Sequence, residues 1–265
     1  AKSGVPASGH PRDVLDVADP VSTAVPTLAH VDVALPFIER GTAVLVEKPI
    51  AASMEEADRL LDAAAARGTL LAAGHTERFN PAVVAALPLV ASPRFVEIHR
   101  LGTSPERTLD IDVVFDLMIH DHDLLLAAVS SEVSSIEAVG VNVLTPRVDI
   151  ANARLRFASG CIANLTASRI SRDRVRKARF FQPQSYVSID FAAQDVEVYR
   201  LVPGQGRPAI EGGRLEVARD EPLRAELADF VDAVRTGRPP GVTAAAGRDA
   251  LALATRIAEA MVATT

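Results

Sequence analysis

Residues 42–74 read TAVLVEKPIAASMEEADRLLDAAAARGTLLAAG. Ala43-Val44-Leu45-Val46 is a short, continuous apolar run, as expected of a parallel strand buried on both faces. Ser53-Met-Glu-Glu56 has the spacing of a capping box, which opens a helix through Arg67, and Gly68 supplies its stop. Thr69 to Ala73 then predicts a second buried strand. Upstream, VLDVADPVSTAV (14–25) reads as a strand, and PTLAHVDVALPFIERG (26–41) carries apolar spacing suited to a helix. Two strand–helix–strand units in succession predict a parallel α/β sheet with crossover helices.

Downstream the pattern changes twice. Asp112 to Val129 predicts a helix with Asp116, His120 and Asp123 at i, i+4 and i+7 on one face. Beyond about Val133, the runs SIEAVGVNVL (135–144), ANARLRFASGCIANLTASRI (151–170), ARFFQPQSYVSID (178–190), DVEVYRLV (195–202) and RLEVA (214–218) are alternating or β-rich. Ser159-Gly160 and Gly212-Gly213 stand where hairpin turns are expected. EPLRAELADFVDAVRTG (221–237) and AAAGRDALALATRIAEAMV (244–262) predict two closing helices. The expected organisation is a parallel α/β domain over residues 1–80 followed by an α+β domain over 81–265. The second domain is built on a mostly antiparallel sheet, and its C-terminal helices are able to pack back on the first domain. Apolar residues at many positions of the strands between Ala151 and Asp190 lead to an expectation of a second buried sheet face, in a homodimer or homotetramer.

The chain has 265 residues, 48% of them apolar, and 34 acidic against 28 basic residues, for a formal charge of −6. That balance leaves no electrostatic footprint for nucleic acid, so an anionic ligand needs a local arginine cluster. No apolar run is long enough to span a bilayer, and the single cysteine, Cys161, needs no oxidising compartment, so a cytoplasmic protein is expected. Only three of the basic residues are lysines, Lys2, Lys48 and Lys177, and all six histidines fall at or before His122.

Two constellations carry possible chemistry. Glu47-Lys48-Pro49 stands at the carboxyl end of a buried strand, where open α/β sheets bind their ligands. A partly desolvated Lys48 there suits hydrogen bonding to a hydroxyl or carbonyl oxygen, against the plainer reading of a surface Glu–Lys pair closing a strand. In Asp116-Leu-Met-Ile-His120-Asp121-His122-Asp123, a carboxylate and an imidazole at i, i+4 fit general acid/base catalysis, with a structural helix pair or a metal site as alternatives. The metal reading is the weaker, because H-D-H-D distributes its ligands around the helix. Gly74-His75-Thr76-Glu77-Arg78-Phe79-Asn80-Pro81 follows the next strand, placing Arg78 where an anion could be met. Arg169, Arg172, Arg174, Arg176 and Arg179 form a denser cluster after a predicted strand. Gly204-Gln-Gly206-Arg-Pro-Ala209 matches a dinucleotide fingerprint in letters only, since prolines flank it and no helix follows.

Ala24-Val25-Pro26-Thr27 with His30, Glu47-Lys48-Pro49, Arg78-Phe79-Asn80-Pro81 and Asp116-x-x-x-His120-Asp121, in that order, resemble the Gfo/Idh/MocA family of NAD(P)-dependent sugar oxidoreductases across nearly the whole chain. ERFNPAV (77–83) and DLMIHDHD (116–123) are most similar to the bacterial branch holding virulence-factor-like proteins and UDP-N-acetylglucosamine 3-dehydrogenases. The resemblance implies an incomplete Rossmann-like domain. Family members begin with a strand, a glycine-rich turn, a helix and a second strand, whereas Gly4-Val5-Pro6-Ala7 looks like the segment that precedes their third strand. The chain is therefore expected to be either a fragment or a short form with impaired cofactor binding. By the same resemblance, hydride passes between a secondary hydroxyl of a sugar or nucleotide sugar and NAD or NADP. Lys48 polarises the reacting oxygen, His120 moves the hydroxyl proton and Asp116 orients His120. Pro26, Thr27, His30, Glu47, Lys48 and Arg78 face the cofactor. The substrate is expected to resemble UDP-N-acetylglucosamine oxidised at position 3, with Arg100, Arg169 and Arg172 meeting its diphosphate and Asp121 also contacting it. No metal is expected. A redox-inactive sugar-binding or assembly subunit of the same fold is the competing reading.

Overall fold

A computed structural model describes residues 7–103, 111–204 and 207–262. Most of the Gly4–Ala7 segment, and Gln205 and Gly206 of the discounted fingerprint, lie outside the described residues. The chain divides into two compact units, Ala1–His75 with Glu226–Leu251, and Thr76–Ala225 with Ala252–Thr265.

The first unit holds a three-stranded parallel sheet in the order β1 (Val21–Thr23), β2 (Val44–Glu47), β3 (Leu71–Gly74). Helices α1 (His30–Glu39) and α2 (Met54–Arg67) make the crossovers. The capping box forms: Ser53 Oγ accepts from the Glu56 backbone N–H at 3.2 Å, and Glu56 Oε2 accepts from Ala52 N–H at 3.0 Å. Gly68 closes α2 at φ +62°, the left-handed stop a glycine adopts freely. The strand expected from Val14 is shorter than its pattern. Pro11–Val14 forms a 3₁₀ turn capped by His10, and pairing begins only after Pro20, which has no N–H to give a ladder. Two segments distant in sequence complete this unit. From α5 (Pro222–Thr236), Phe230 packs on Ala43, Leu45 and Ala72. Thr243 bridges Ala72 just before α6 (Ala244–Val262), whose Gly247 lies so near Ala73 and Ile50 that a Cβ would stand 2.5 Å from that of Ala73.

The second unit is built on an eight-stranded sheet. Its strands are β4 (Phe95–Thr103), β5 (Val133–Val141), β6 (Ile150–Phe157), β7 (Ile162–Ser168), β8 (Ile170–Gln182), β9 (Ser185–Asp190), β10 (Asp195–Val202) and β11 (Ala209–Leu215), in the order β11-β10-β9-β8-β4-β7-β6-β5. Only the β4–β7 pair is parallel. One face buries Val96, Ile98, Ala153, Leu155, Phe157, Leu165 and Phe180, beneath α3 (Pro81–Ala86) and the helical segment ending in α4 (Ile119–Val129).

Three expectations change here. Gly212-Gly213 is not a turn but lies inside β11, opposite Tyr199 and Val198. A Cβ on Gly212 would stand 1.9 Å from the Val198 carbonyl oxygen, so glycine serves close backbone approach at φ +143°. The arginine cluster, expected after a strand, instead lies largely within one, with Arg172, Arg174, Arg176 and Arg179 on β8 and Arg169 just before it. The strands from Ala151 to Asp190 are also not apolar on both faces. Asn152, Arg154, Asn164, Thr166, Lys177 and Arg179 point to the open side, and its apolar part is an aromatic ladder, Phe95–Phe181–Tyr186–Tyr199, with successive centroids 5.5, 5.1 and 6.3 Å apart. Among the described residues, no helix is long and apolar enough to cross a membrane.

Candidate active site

At the carboxyl edge of the parallel sheet, β1 ends at buried Thr23, whose hydroxyl donates to Leu45 O at 3.3 Å. The next residues bring out exposed Ala24 and Pro26 and half-buried Thr27. β2 ends at Glu47, followed by half-buried Lys48 and a cis Lys48–Pro49 bond. Glu47 lies across the end of β3, where a Cβ on Gly74 would come within 3.0–3.1 Å of it and push Glu47 by a few tenths of an ångström. Burial raises the Glu47 carboxyl above its ordinary range, against the Lys48 backbone N–H and the charges of Lys48 and His30. His30, expected to face the cofactor, meets the loops on both sides of its ring. It is buried, with Nδ1 2.9 Å from Pro49 O and Nε2 2.9 Å from Val25 O, so its ring ties the loop after β1 to the loop after β2.

In the second unit the predicted helix 112–129 starts with a π-helical turn, Val114–Met118, before α4. Such turns concentrate at functional sites because they re-aim side chains within a helix. Asp116, Leu117 and His120 are half-buried along this segment, whereas Asp121, His122 and Asp123 are buried. Asp121 and Arg100, both expected to meet substrate, are buried and engaged with each other. The Arg100 guanidinium donates to Asp121 from Nε at 3.0 and 3.2 Å and from Nη2 at 2.7 Å, and Nη1 donates to Glu77 at 3.0 Å. Desolvation works against this cation, but the two carboxylates more than reverse it and hold Arg100 protonated. Arg78 Nη1 donates to Asp123 Oδ1 at 3.1 Å, so part of its guanidinium is engaged within its own unit. Burial lifts Asp123 to about 6 despite that pair.

Arg169 is likewise not a surface anion site. Its side chain is 1% exposed, donates to Ile111 O and stands 3.9 Å from Asp149. Asp149 in turn accepts backbone N–H groups of Val143, Leu144 and Thr145, which hold its carboxyl down at about 2 against burial. Arg172 is exposed on β8. Arg174 and Arg176 were named in the sequence only as members of a run. The register sets Arg176 directly opposite Arg100, which sequence spacing alone does not reveal.

Residues 1–75 match the family described as "Oxidoreductase family, NAD-binding Rossmann fold", and residues 97–183 match its GFO/IDH/MocA C-terminal domain. The chain is 37% identical over 247 residues to the UDP-N-acetylglucosamine 3-dehydrogenase of Acidithiobacillus ferrooxidans, covering 92% of this chain and 79% of that protein. The chain belongs to the GFO/IDH/MocA oxidoreductase family. A solved structure of that dehydrogenase superposes with a TM-score of 0.91 at 36% identity, covering 97% of this chain and 83% of the other. Levoglucosan dehydrogenase in complex with NADH and levoglucosan shares the fold, at TM-score 0.85 and 17% identity over 97% of this chain and 82% of that one. The first unit suits the family's dinucleotide. Ala24 and Pro26 are small and exposed at the carboxyl edge, half-buried Lys48 follows β2 at the same edge, and this edge is where parallel α/β sheets take nucleotides.

Proposed function

We propose that this GFO/IDH/MocA member oxidises a secondary hydroxyl of a nucleotide-activated amino sugar with NAD, and that the substrate resembles UDP-N-acetylglucosamine reacting at position 3. The observation that carries this is the 37% identity with a UDP-N-acetylglucosamine 3-dehydrogenase over 92% of the chain, in a sequence that carries Glu47-Lys48-Pro49 and the Asp116/His120 helix. Bound NAD supplies the hydride acceptor. Pro26, Thr27 and Lys48 hold its nicotinamide side, His30 and Glu47 support them from behind, and Arg78 is the remaining cofactor candidate.

The Lys48 ammonium donates to the reacting oxygen and stabilises the negative charge that develops as its proton leaves. The His120 imidazole takes that proton, and the Asp116 carboxylate orients the ring and stabilises its charged form. The test is NADH formation from UDP-N-acetylglucosamine and NAD. Lys48→Ala and His120→Ala are each expected to lower kcat by about 10²–10⁴-fold, the usual range for a positioned acid/base group. Near-wild-type turnover in both variants overturns the assignment.

The open sheet face supports a homodimer. The ladder carries Phe181 and Tyr199, 37% and 40% exposed, and Leu201, 43% exposed, stands two residues beyond Tyr199, so together they form an apolar strip.

A further inference from the structure

Two features of β8 point to a ligand. Arg176 faces Arg100 across the β4–β8 ladder, and Arg174, two residues along, lies on the same side of the sheet, where its Cγ is 3.8 Å from the position of a Cβ on Gly102. Arg174, Arg176 and Arg100 line a cleft with Thr103, Ser168 and Leu117, and Leu117 belongs to the π-helical turn that carries Asp116. Arg100 is satisfied by Asp121 and Glu77, and among the described residues no carboxylate stands within ion-pair distance of Arg174 or Arg176. Among the described residues, the cleft lining thus carries three guanidiniums and no carboxylate, in a chain whose overall charge is −6. Burial, then the Arg100 charge, push Arg176 below its ordinary range, which is the state of a cation that a bound anion would relieve.

We infer that Arg174 and Arg176 form a subsite for the diphosphate of a nucleotide-activated substrate, next to the turn bearing Asp116. This rests on the function proposed above and replaces Arg100 and Arg169, which are committed within the fold, as the groups that read the substrate's charge. Two planar forks on one strand face suit two adjacent phosphoryl groups, each able to accept paired N–H donors. A neutral sugar leaves half-buried Arg176 partly desolvated and unmatched and gives exposed Arg174 no charge to meet, so the pair would select for a nucleotide-activated substrate over a free one.

The test is calorimetric titration of the full chain with UDP and with uridine, for wild type, Arg174→Gln, Arg176→Gln, the double variant and exposed Arg200→Gln as control. UDP is expected to weaken about 10–100-fold per arginine lost. Uridine affinity and the Arg200→Gln variant should stay at wild-type values, with Arg176→Lys intermediate for UDP. Thermal melts check folding. Failure of wild type to bind UDP, a double variant within twofold of wild type, or an equal loss for uridine overturns the subsite. N-acetylglucosamine 1-phosphate should bind at least tenfold more weakly than UDP, and equal affinity overturns the diphosphate assignment. These readouts need no turnover, so an absence of NADH formation with UDP binding intact defeats the redox reading and leaves the subsite standing.

Discussion

Asp123 is 2% exposed and shares Arg78, yet its carboxyl sits at about 6 because desolvation outweighs one guanidinium at 3.1 Å. The folded state therefore holds this proton more tightly than the unfolded chain, where the group titrates near 3.9. Stability from this residue is fully present below about pH 4 and is lost as pH rises through about 6. Asp123→Asn fixes the side chain in its neutral form. The stability of wild type relative to this variant should fall by about 2–3 kcal/mol between pH 4 and 6 and then level off. Urea melts across that range are the measurement, and a difference that stays constant with pH would refute the assigned burial cost. His30 acts through geometry instead, its two ring nitrogens each meeting a loop carbonyl and so holding the shape of the edge around Lys48.

At the scale of elements, Gly212 and Gly213 make a paired test. Both have φ near +145°, but only Gly212 meets the Val198 carbonyl, and nothing lies within 4 Å of a Cβ on Gly213. Gly212→Ala should cost about 1–3 kcal/mol of local strain and raise amide exchange along β10 and β11, with Gly213→Ala milder. Equal exchange in both variants would exclude the contact as the cause. The same pair shows what sequence can convey. Strands β2 and β3 and helix α2 were legible because continuous apolar runs, Ser53/Glu56 and Gly68 act within a few residues of one another. The role of Gly212, and the fact that Arg100 is bound while Arg174 and Arg176 remain available, depend on partners in other strands. No local periodicity encodes a register between β4 and β8. The π-turn was hidden too, since Asp116 and His120 lie about one turn apart in either kind of helix.

At the scale of the whole molecule, the aromatic ladder decides the expected assembly. Light scattering of wild type at micromolar concentration should give a dimer or a dimer of dimers, and Phe181→Glu with Tyr199→Glu should give monomers. A monodisperse wild-type monomer would rule the ladder out as an interface. The first unit also has a history that its folded form conceals. Ala43, Leu45, Ala72 and Ala73 are made early, but Phe230, Thr243 and Gly247, which between them contact these residues, leave the ribosome only after Thr76–Ala225. At ordinary elongation rates the lag is on the order of 10–30 s. For that time the nascent sheet presents an uncovered apolar flank, long enough for a chaperone to take it up, and the first unit to be started is the last to be closed.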